Sequence, residues 1–206
     1  MKWQTLLSIV GDEPVFTPGL LITDAADPAG VRRQFSRWVS SGRLIQIRRG
    51  LYALAEPYCR AKPHPFLVAN RIKRASYVSL QSALEYYGLI PEFVPSVTSV
   101  TTGRPESVVT PLGQLIFRHI KTDFFRGYRY VDLGDGQEAF IAAPEKALLD
   151  LLYLTPGSDN PRYIDEIRLQ NVEILDMAKL LQDAQESRSP KLSRAARKVV
   201  TLAGSL

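Results

Sequence analysis

Between residues 30 and 54 the spacing of the apolar side chains changes halfway along the segment. In the first half they recur at the three- and four-residue intervals typical of one helix face; they are Val31, Phe35, Trp38 and Val39. After Gly42 they form two short runs on either side of an Arg48-Arg49-Gly50 turn. Two such runs joined by a short turn predict a β-hairpin, in which Gly50 supplies the positive φ. The segment is therefore predicted to be a helix that leads into a hairpin.

The residues before this segment predict further elements. Helical spacing predicts a helix over residues 3–10, and a short strand is predicted over 15–17. A Thr-Pro pair favours a short helix over 18–23, and Asp27-Pro28 favours the start of the next one. Helix, strand, helix, helix, hairpin is the order of a winged helix-turn-helix, with 18–23 as the positioning helix and 28–41 as the recognition helix.

The rest of the chain predicts a mixture of helices and strands. The predicted helices cover residues 66–74, 79–87, 145–154, 172–182 and 189–203, and the predicted strands cover 97–101, 114–120, 128–133 and 138–141. The fold class is therefore predicted to be α+β: an N-terminal winged helix-turn-helix over residues 1–58, followed by a mixed α/β C-terminal domain over 59–206 that ends in helices. A Pro-rich stretch marks the predicted joint between them.

Charge sharpens this picture, because it is unevenly distributed along a chain of net charge +5. Residues 30–54 hold six arginines and no acidic side chain. Residues 132–186 hold twelve acidic and four basic side chains, whereas residues 187–206 hold five basic and no acidic ones. Such asymmetry indicates a polyanionic partner on part of the surface.

The arginine-rich segment supplies the predicted DNA-binding residues. On the predicted helix they lie away from the apolar face or on its flank, and on the hairpin they lie at the tip. They are Arg32, Arg33, Ser36, Arg37, Ser40, Arg48 and Arg49. Arginine bonds the guanine edge in the major groove and clamps phosphates equally well, so both roles stay open for each helix arginine. Arginines at a hairpin tip suit contacts with the backbone or with a narrow minor groove.

The predicted C-terminal helix over 189–203 has a second basic face. Its cationic side chains are Lys191, Arg194, Arg197 and Lys198. This face is predicted either to stay free for DNA phosphates or an acidic partner, or to neutralise the acidic 132–186 region within the chain. Both alternatives are open at the level of the sequence.

Five sequence blocks in order resemble a known family. They are GRLIQIRRGLYAL, YVSLQSALEYYGLIPE, VTSVTTGR, FRHIKTDFFRGY and IAAPEKALLDLLYL. Over residues 14–155 the chain resembles the AbiEi antitoxins of type IV toxin–antitoxin systems, which are associated with phage defence. On the DNA side, the arginines in the matching positions are Arg32, Arg33, Arg37, Arg48 and Arg49.

The resemblance implies a two-part protein. Its winged domain is expected to bind inverted repeats in its own promoter and to repress the operon. Its C-terminal domain is expected to counteract a nucleotidyltransferase-like toxin, with or without direct contact. A monomer in solution that pairs on DNA is compatible with both roles.

Composition excludes several other classes. The chain is 45% apolar and 23% charged, as in ordinary globular proteins, and no apolar run approaches the ~20 residues of a membrane span. The first residues do not begin a secretory signal. One cysteine, Cys59, excludes an internal disulfide, and with His64 and His119 it is too little for a structural zinc site. We expect a cytoplasmic protein with no metal and no cofactor.

An enzymatic interpretation is the weaker one. Asp132, Asp135 and Glu145 are the acidic residues a metal-dependent nuclease could use, but Glu145 and Lys146 are adjacent at a helix start rather than two apart on a strand. The favoured interpretation places Glu145 at the positive end of the helix and pairs Lys146 with Asp150 at i, i+4. We predict that the protein is not an enzyme. Two alternatives stay open: a winged-helix transcription factor whose second domain senses a ligand or dimerises, and a nucleic-acid-processing enzyme.

Overall fold

The computed structural model of the chain describes residues 2–19 and 27–204 and confirms the α+β class. The α-helices in these residues are α1 (Trp3–Val10), α2 (Pro28–Ser40), α3 (Pro65–Ile72), α4 (Leu80–Tyr86), α5 (Pro144–Leu154), α6 (Pro161–Ile167), α7 (Met177–Glu186) and α8 (Pro190–Ala203). The strands are β1 (Leu44–Arg48), β2 (Leu51–Leu54), β3 (Ser76–Val78), β4 (Ser96–Thr101), β5 (Glu106–Thr110), β6 (Gly113–His119), β7 (Tyr128–Gly134) and β8 (Gln137–Ala142). Within the described ranges no helix is long and apolar enough to cross a bilayer.

The strands form two sheets of different kinds. Strands β1 and β2 make an antiparallel hairpin, and the other six form one mixed sheet in the order β5-β6-β4-β3-β8-β7. In that sheet β4 runs parallel to β6 and β3 parallel to β8, while the remaining pairs are antiparallel. Helix α5 packs against α4, α7 and α8 and is buried from Pro144 to Leu152, so it forms the centre of the helical layer.

The apolar face predicted for the arginine helix is buried in the N-terminal core. Val31, Phe35 and Trp38 of α2 pack with α1, with Phe16 and with one face of the β1–β2 hairpin. The Phe35 ring lies 4.9 Å from that of Tyr52 and 5.7 Å from that of Trp38, measured between centroids. This aromatic packing fixes the rotation of α2 about its axis and therefore decides which side chains face outward.

The β1–β2 hairpin is buried on both faces. Leu44 and Leu54 on one face belong to the N-terminal core, whereas Ile47, Leu51 and Ala53 on the other belong to the core of the second half of the chain. The alternation follows from the two-residue period of a strand. Because one hairpin contributes to both cores, the N-terminal segment is fixed against the rest of the protein. The domain boundary at residues 58/59 stays a prediction.

Several element predictions need correction or addition. The helix predicted over 172–182 is wrong at its start: residues Val172–Ile174 form a 3-10 turn, and α7 begins only at Met177, where the Asp176 carboxylate accepts from the Lys179 amide at 2.9 Å. Strand β5 and helix α6 were not predicted at all. Of the helix predicted over 18–23, residues 20–23 lie outside the described residues.

The start of α2 gives a first testable prediction. The Asp27 carboxylate accepts a hydrogen bond from the Gly30 amide at 2.8 Å and thereby caps the helix. We expect Asp27→Ala to lower the free energy of unfolding by about 1 kcal/mol, because a helix N-cap is worth about that much. Urea unfolding followed by tryptophan fluorescence reports this loss, since Trp38 lies on α2. Asp27→Ser, which keeps a capping oxygen, should recover most of it; equal loss in both variants would contradict the cap.

Candidate nucleic-acid interface

The predicted polar face of α2 is exposed. Its members, all of them exposed, are Arg32, Arg33, Ser36, Arg37 and Ser40. They are exposed because the opposite, apolar side of the helix is held in the N-terminal core. The structure thus gathers these five residues on one outward surface, which we call the arginine face.

The charges of the arginine face are weakly engaged. Arg33 lies 3.5 Å from the Asp27 carboxylate, but both side chains are mostly exposed, and such a surface pair contributes little. Among the described residues Arg32 and Arg37 have no ion-pair partner. Of the described ion pairs, a phosphate that binds here would therefore have to displace only the weak one between Arg33 and Asp27.

The hairpin tip lies beside this face in sequence and carries the other two predicted residues. Arg48 and Arg49 are both exposed, and Gly50 closes the turn with φ +83°. Arg48 also lies 3.8 Å from the Glu106 carboxylate of β5, which links the tip to the mixed sheet. Glu106 also forms an ion pair with Lys73, whose Nζ lies 2.9 Å from the carboxylate. Arg49 is thus the freer of the two tip arginines.

The sixth arginine of the segment has a different role. The Arg43 guanidinium lies 5.5 Å from the centroid of the Trp3 ring, a cation–π distance, and Trp3 in turn contacts Trp38 edge to face. Arg43 therefore stacks on the N-terminal core.

The second predicted basic face is largely engaged within the chain. Lys191 Nζ donates to the Tyr153 and Thr155 carbonyls, both at 2.9 Å. Arg194 forms an ion pair with Asp159 at 2.8 Å, which lowers the pKa of that carboxyl, and Lys198 donates to the Asp159 carbonyl. Arg194 and Arg197 are both exposed, whereas Lys191 and Lys198 are half-buried. The geometry corresponds to the intramolecular alternative, in which α8 neutralises part of the acidic region.

A buried polar cluster lies in the second half of the chain, and sequence reasoning found only part of it. The predicted i, i+4 pair between Lys146 and Asp150 is present, but both side chains are almost completely buried rather than solvated. Tyr77 Oη and Ser79 Oγ also donate to Asp150, at 3.0 and 2.7 Å. We call these four residues the Asp150 cluster. The signal in the sequence that could have revealed this cluster was the presence of polar residues within the otherwise apolar segments that form β3, α4 and α5.

Burial sets the electrostatics of the Asp150 cluster. Desolvation raises the pKa of Asp150 and lowers that of Lys146. The ion pair with Lys146 and the hydrogen bonds from Tyr77 and Ser79 act on Asp150 against desolvation, because they favour its charged form. Lys146 Nζ also lies 3.8 Å from the centroid of the Phe124 ring. The Ser79 hydroxyl is fully buried and bonded to Asp150, so no substrate reaches it. The cluster therefore holds β3 and α4 to α5.

The acidic residues of the nuclease alternative make separate contacts. The Asp132 carboxylate accepts from the Gly134 amide in its own turn at 2.8 Å, and Asp135 occupies the β7–β8 turn. Glu145 is instead buried, where it accepts from the Asp176 amide at 3.0 Å and pairs with Lys179 at 2.9 Å. Across the described ranges no group of three or more His, Cys, Asp or Glu residues is placed to hold a metal ion. The geometry gives this alternative no support.

Comparisons with known proteins agree with the regulatory interpretation. The crystal structure of the RV2827C protein from Mycobacterium tuberculosis matches 96% of this chain and 77% of its own, with a TM-score of 0.60 and 16% identity, which shows a shared fold. Among curated proteins no significant match was found. A family model described as a transcriptional regulator and AbiEi antitoxin matches residues 20–55. The AbiEi resemblance is thus confirmed over the segment that carries the arginine face and the hairpin, and it supports a regulatory role.

Proposed function

We propose that the protein is a DNA-binding repressor of its own operon and the antitoxin of a type IV toxin–antitoxin pair. In this proposal α2 enters the major groove of an inverted repeat, two copies occupy the two half-sites, and the second half of the chain counteracts a nucleotidyltransferase-like toxin. The observation that carries the DNA-binding part is the arginine face, which is exposed, cationic and held rigidly by the core behind it.

The dimensions of α2 suit this role. Its thirteen residues span about 20 Å at 1.5 Å per residue, enough to lie across a major groove about 12 Å wide. The arginine face supplies three guanidinium groups for guanine edges or phosphates, and the hairpin tip supplies two more for the neighbouring backbone. Because the hairpin is buried on both faces, helix and tip would approach DNA as one rigid unit.

The DNA-binding part is tested on the promoter fragment upstream of the gene. We expect the full-length protein to retain this fragment, and its log affinity per protomer to fall with log salt at a slope of about −4.5 if five arginines contact phosphates. Scrambling the inverted repeats should reduce retention, whereas scrambling flanking sequence should not. Binding that is absent, or that ignores salt, would contradict the proposal.

The antitoxin part is tested by co-expression with the adjacent gene. We expect the neighbouring toxin gene alone to arrest growth and the full-length chain to restore it. An Arg33→Ala/Arg37→Ala variant should still restore growth from a constitutive promoter, because the arginine face is assigned only to DNA. The full chain is used rather than residues 60–206, since Ile47, Leu51 and Ala53 of the hairpin belong to the core of the second half. No rescue by the full chain would overturn the antitoxin part.

A further inference from the structure

Three large aromatic side chains lie exposed and side by side on the outermost hairpin of the mixed sheet. Strand β7 is an edge strand, and its antiparallel register with β8 sets Tyr130 opposite Phe140 and Tyr128 opposite Ala142. The side chains of Tyr128, Tyr130 and Phe140 remain 38%, 57% and 39% exposed. Contiguous exposed rings of this size mark interaction sites on soluble proteins.

The three aromatic rings pack against one another. The centroids of Tyr130 and Phe140 lie 4.8 Å apart, and that of Tyr128 lies 5.7 Å from Phe140 in an edge-to-face arrangement. Tyr128 is itself stacked on the buried Tyr77 ring at 4.6 Å. The aromatic surface is therefore preorganised, and the outer ring faces are left for a ligand.

Tyr130 and Phe140 line one wall of a groove of about 270 Å³, and residues of helix α3, with Arg74 just beyond its end, form the other wall. Asn70 fixes the helix to the sheet, since its Oδ1 accepts from the Phe140 amide at 2.6 Å and its Nδ2 donates to the Ser76 carbonyl. This contact places Arg71 and Arg74 on the rim, where both are exposed. Within the described residues neither arginine has an ion-pair partner.

One carboxylate lies inside the groove. Glu138 lies close enough to Tyr130 for its carboxylate to raise the pKa of that tyrosine, and Arg71 is near enough to act in the opposite sense. Glu138 also lines the groove beside Phe140. A carboxylate next to an aromatic surface accepts N–H groups from a base edge, such as the amino group of cytosine.

We propose that this groove binds an unpaired nucleotide of a single-stranded nucleic acid. The base stacks on Tyr130 and Phe140, its N–H edge meets Glu138, and its phosphates meet Arg71 and Arg74. Stacking on aromatic rings with a cationic rim is the combination that single-strand binders use. The charge of the lining favours this occupant over a protein strand, because its charged members are Arg71, Arg74 and Glu138, two cations against one carboxylate. The site is separate from the arginine face.

The test uses the full-length protein and fluorescence anisotropy with labelled 12-nucleotide RNA and DNA strands of identical sequence. We expect Tyr130→Ala to weaken single-strand binding about 5- to 100-fold, the range typical for loss of one stacking ring. Tyr130→Phe should bind like the wild type. Phe93→Ala is the matched control, because Phe93 is an exposed ring, 81% accessible, outside the groove. Its affinity should not change.

Two further experiments test the base contact and the location of the site separately. Glu138→Gln should alter the preference for cytosine- or guanine-containing strands over oligouridine, and a 4-thiouridine strand should crosslink to a peptide within residues 128–140. Equal affinity for RNA and DNA indicates base and phosphate contacts, whereas preference for RNA adds a 2′-hydroxyl contact; both support the site. Duplex promoter binding should be unchanged in Tyr130→Ala, so failure here is distinguishable from failure of the repressor proposal. Unchanged single-strand affinity in Tyr130→Ala, or loss of toxin co-purification instead, would overturn the inference.

Discussion

Replacing Arg33 and Arg37 together by alanine is expected to weaken binding of the promoter fragment by at least about 30-fold. Each arginine that contacts a base or phosphate contributes on the order of 1–3 kcal/mol, and both side chains lie on the exposed face of α2. The salt slope should become shallower by about two if both contact phosphates. Anisotropy with the labelled fragment at four salt concentrations measures the affinity and the slope together.

The matched control for this variant removes the same charge elsewhere. Arg162 and Arg197 are also exposed arginines on helices, but they lie on α6 and α8. We expect Arg162→Ala/Arg197→Ala to change promoter affinity less than threefold, because the loss is then only long-range electrostatics. Similar losses in the two double variants would mean that net charge, not the arginine face, drives binding.

Replacing Asp150 by alanine is expected to lower the free energy of unfolding by about 3–5 kcal/mol. The change leaves the Lys146 ammonium buried without its partner, which is the costly way to break a buried ion pair. It also removes the acceptor of the Tyr77 and Ser79 hydroxyls. Since a domain is stable by only about 5–15 kcal/mol, this single change removes much of that margin.

Two comparisons test the physical reason. Asp150→Ala/Lys146→Met should be more stable than Asp150→Ala alone, because no uncompensated charge remains. Asp183→Ala, which breaks the half-exposed i, i+4 pair of Lys179 with Asp183, should cost less than about 1 kcal/mol. Unfolding in urea is followed by circular dichroism, since Trp3 and Trp38 report only on the N-terminal core. An Asp150→Ala variant as stable as Asp183→Ala would refute the role of burial.

Local signals in the sequence were sufficient to predict the arginine-rich helix α2 and the β1–β2 hairpin that follows it. The apolar spacing of Val31, Phe35 and Trp38, the Asp27 cap and the Gly50 turn each involve residues a few positions apart. Interactions of that range depend on backbone geometry and not on the rest of the fold. The same holds for the Lys146–Asp150 pair, which one helical turn brings together wherever the helix lies.

Other features were beyond sequence reasoning because distant residues decide them. The residues of β5, Glu-Ser-Val-Val-Thr, do not alternate between polar and apolar types in the sequence, so the strand is recognised only from its pairing with β6. The burial of the Asp150 cluster depends on Tyr77 and Ser79, more than seventy residues earlier. The α8 lysines and Arg194 likewise contact backbone carbonyls and the Asp159 carboxylate 35 to 39 residues earlier in the chain.

The sequence by itself therefore determined the outward cationic face of α2, since the helical spacing of the apolar residues and the positions of the arginines both lie within the thirteen residues of this helix. Only the tertiary structure decided that the hairpin serves two cores and that the basic face of α8 is largely occupied by its own chain. It alone brought Tyr130 and Phe140 opposite Arg71. The physical reason is that burial and pairing depend on how the elements pack against one another. That packing follows from the strand order, which no short stretch of the sequence encodes.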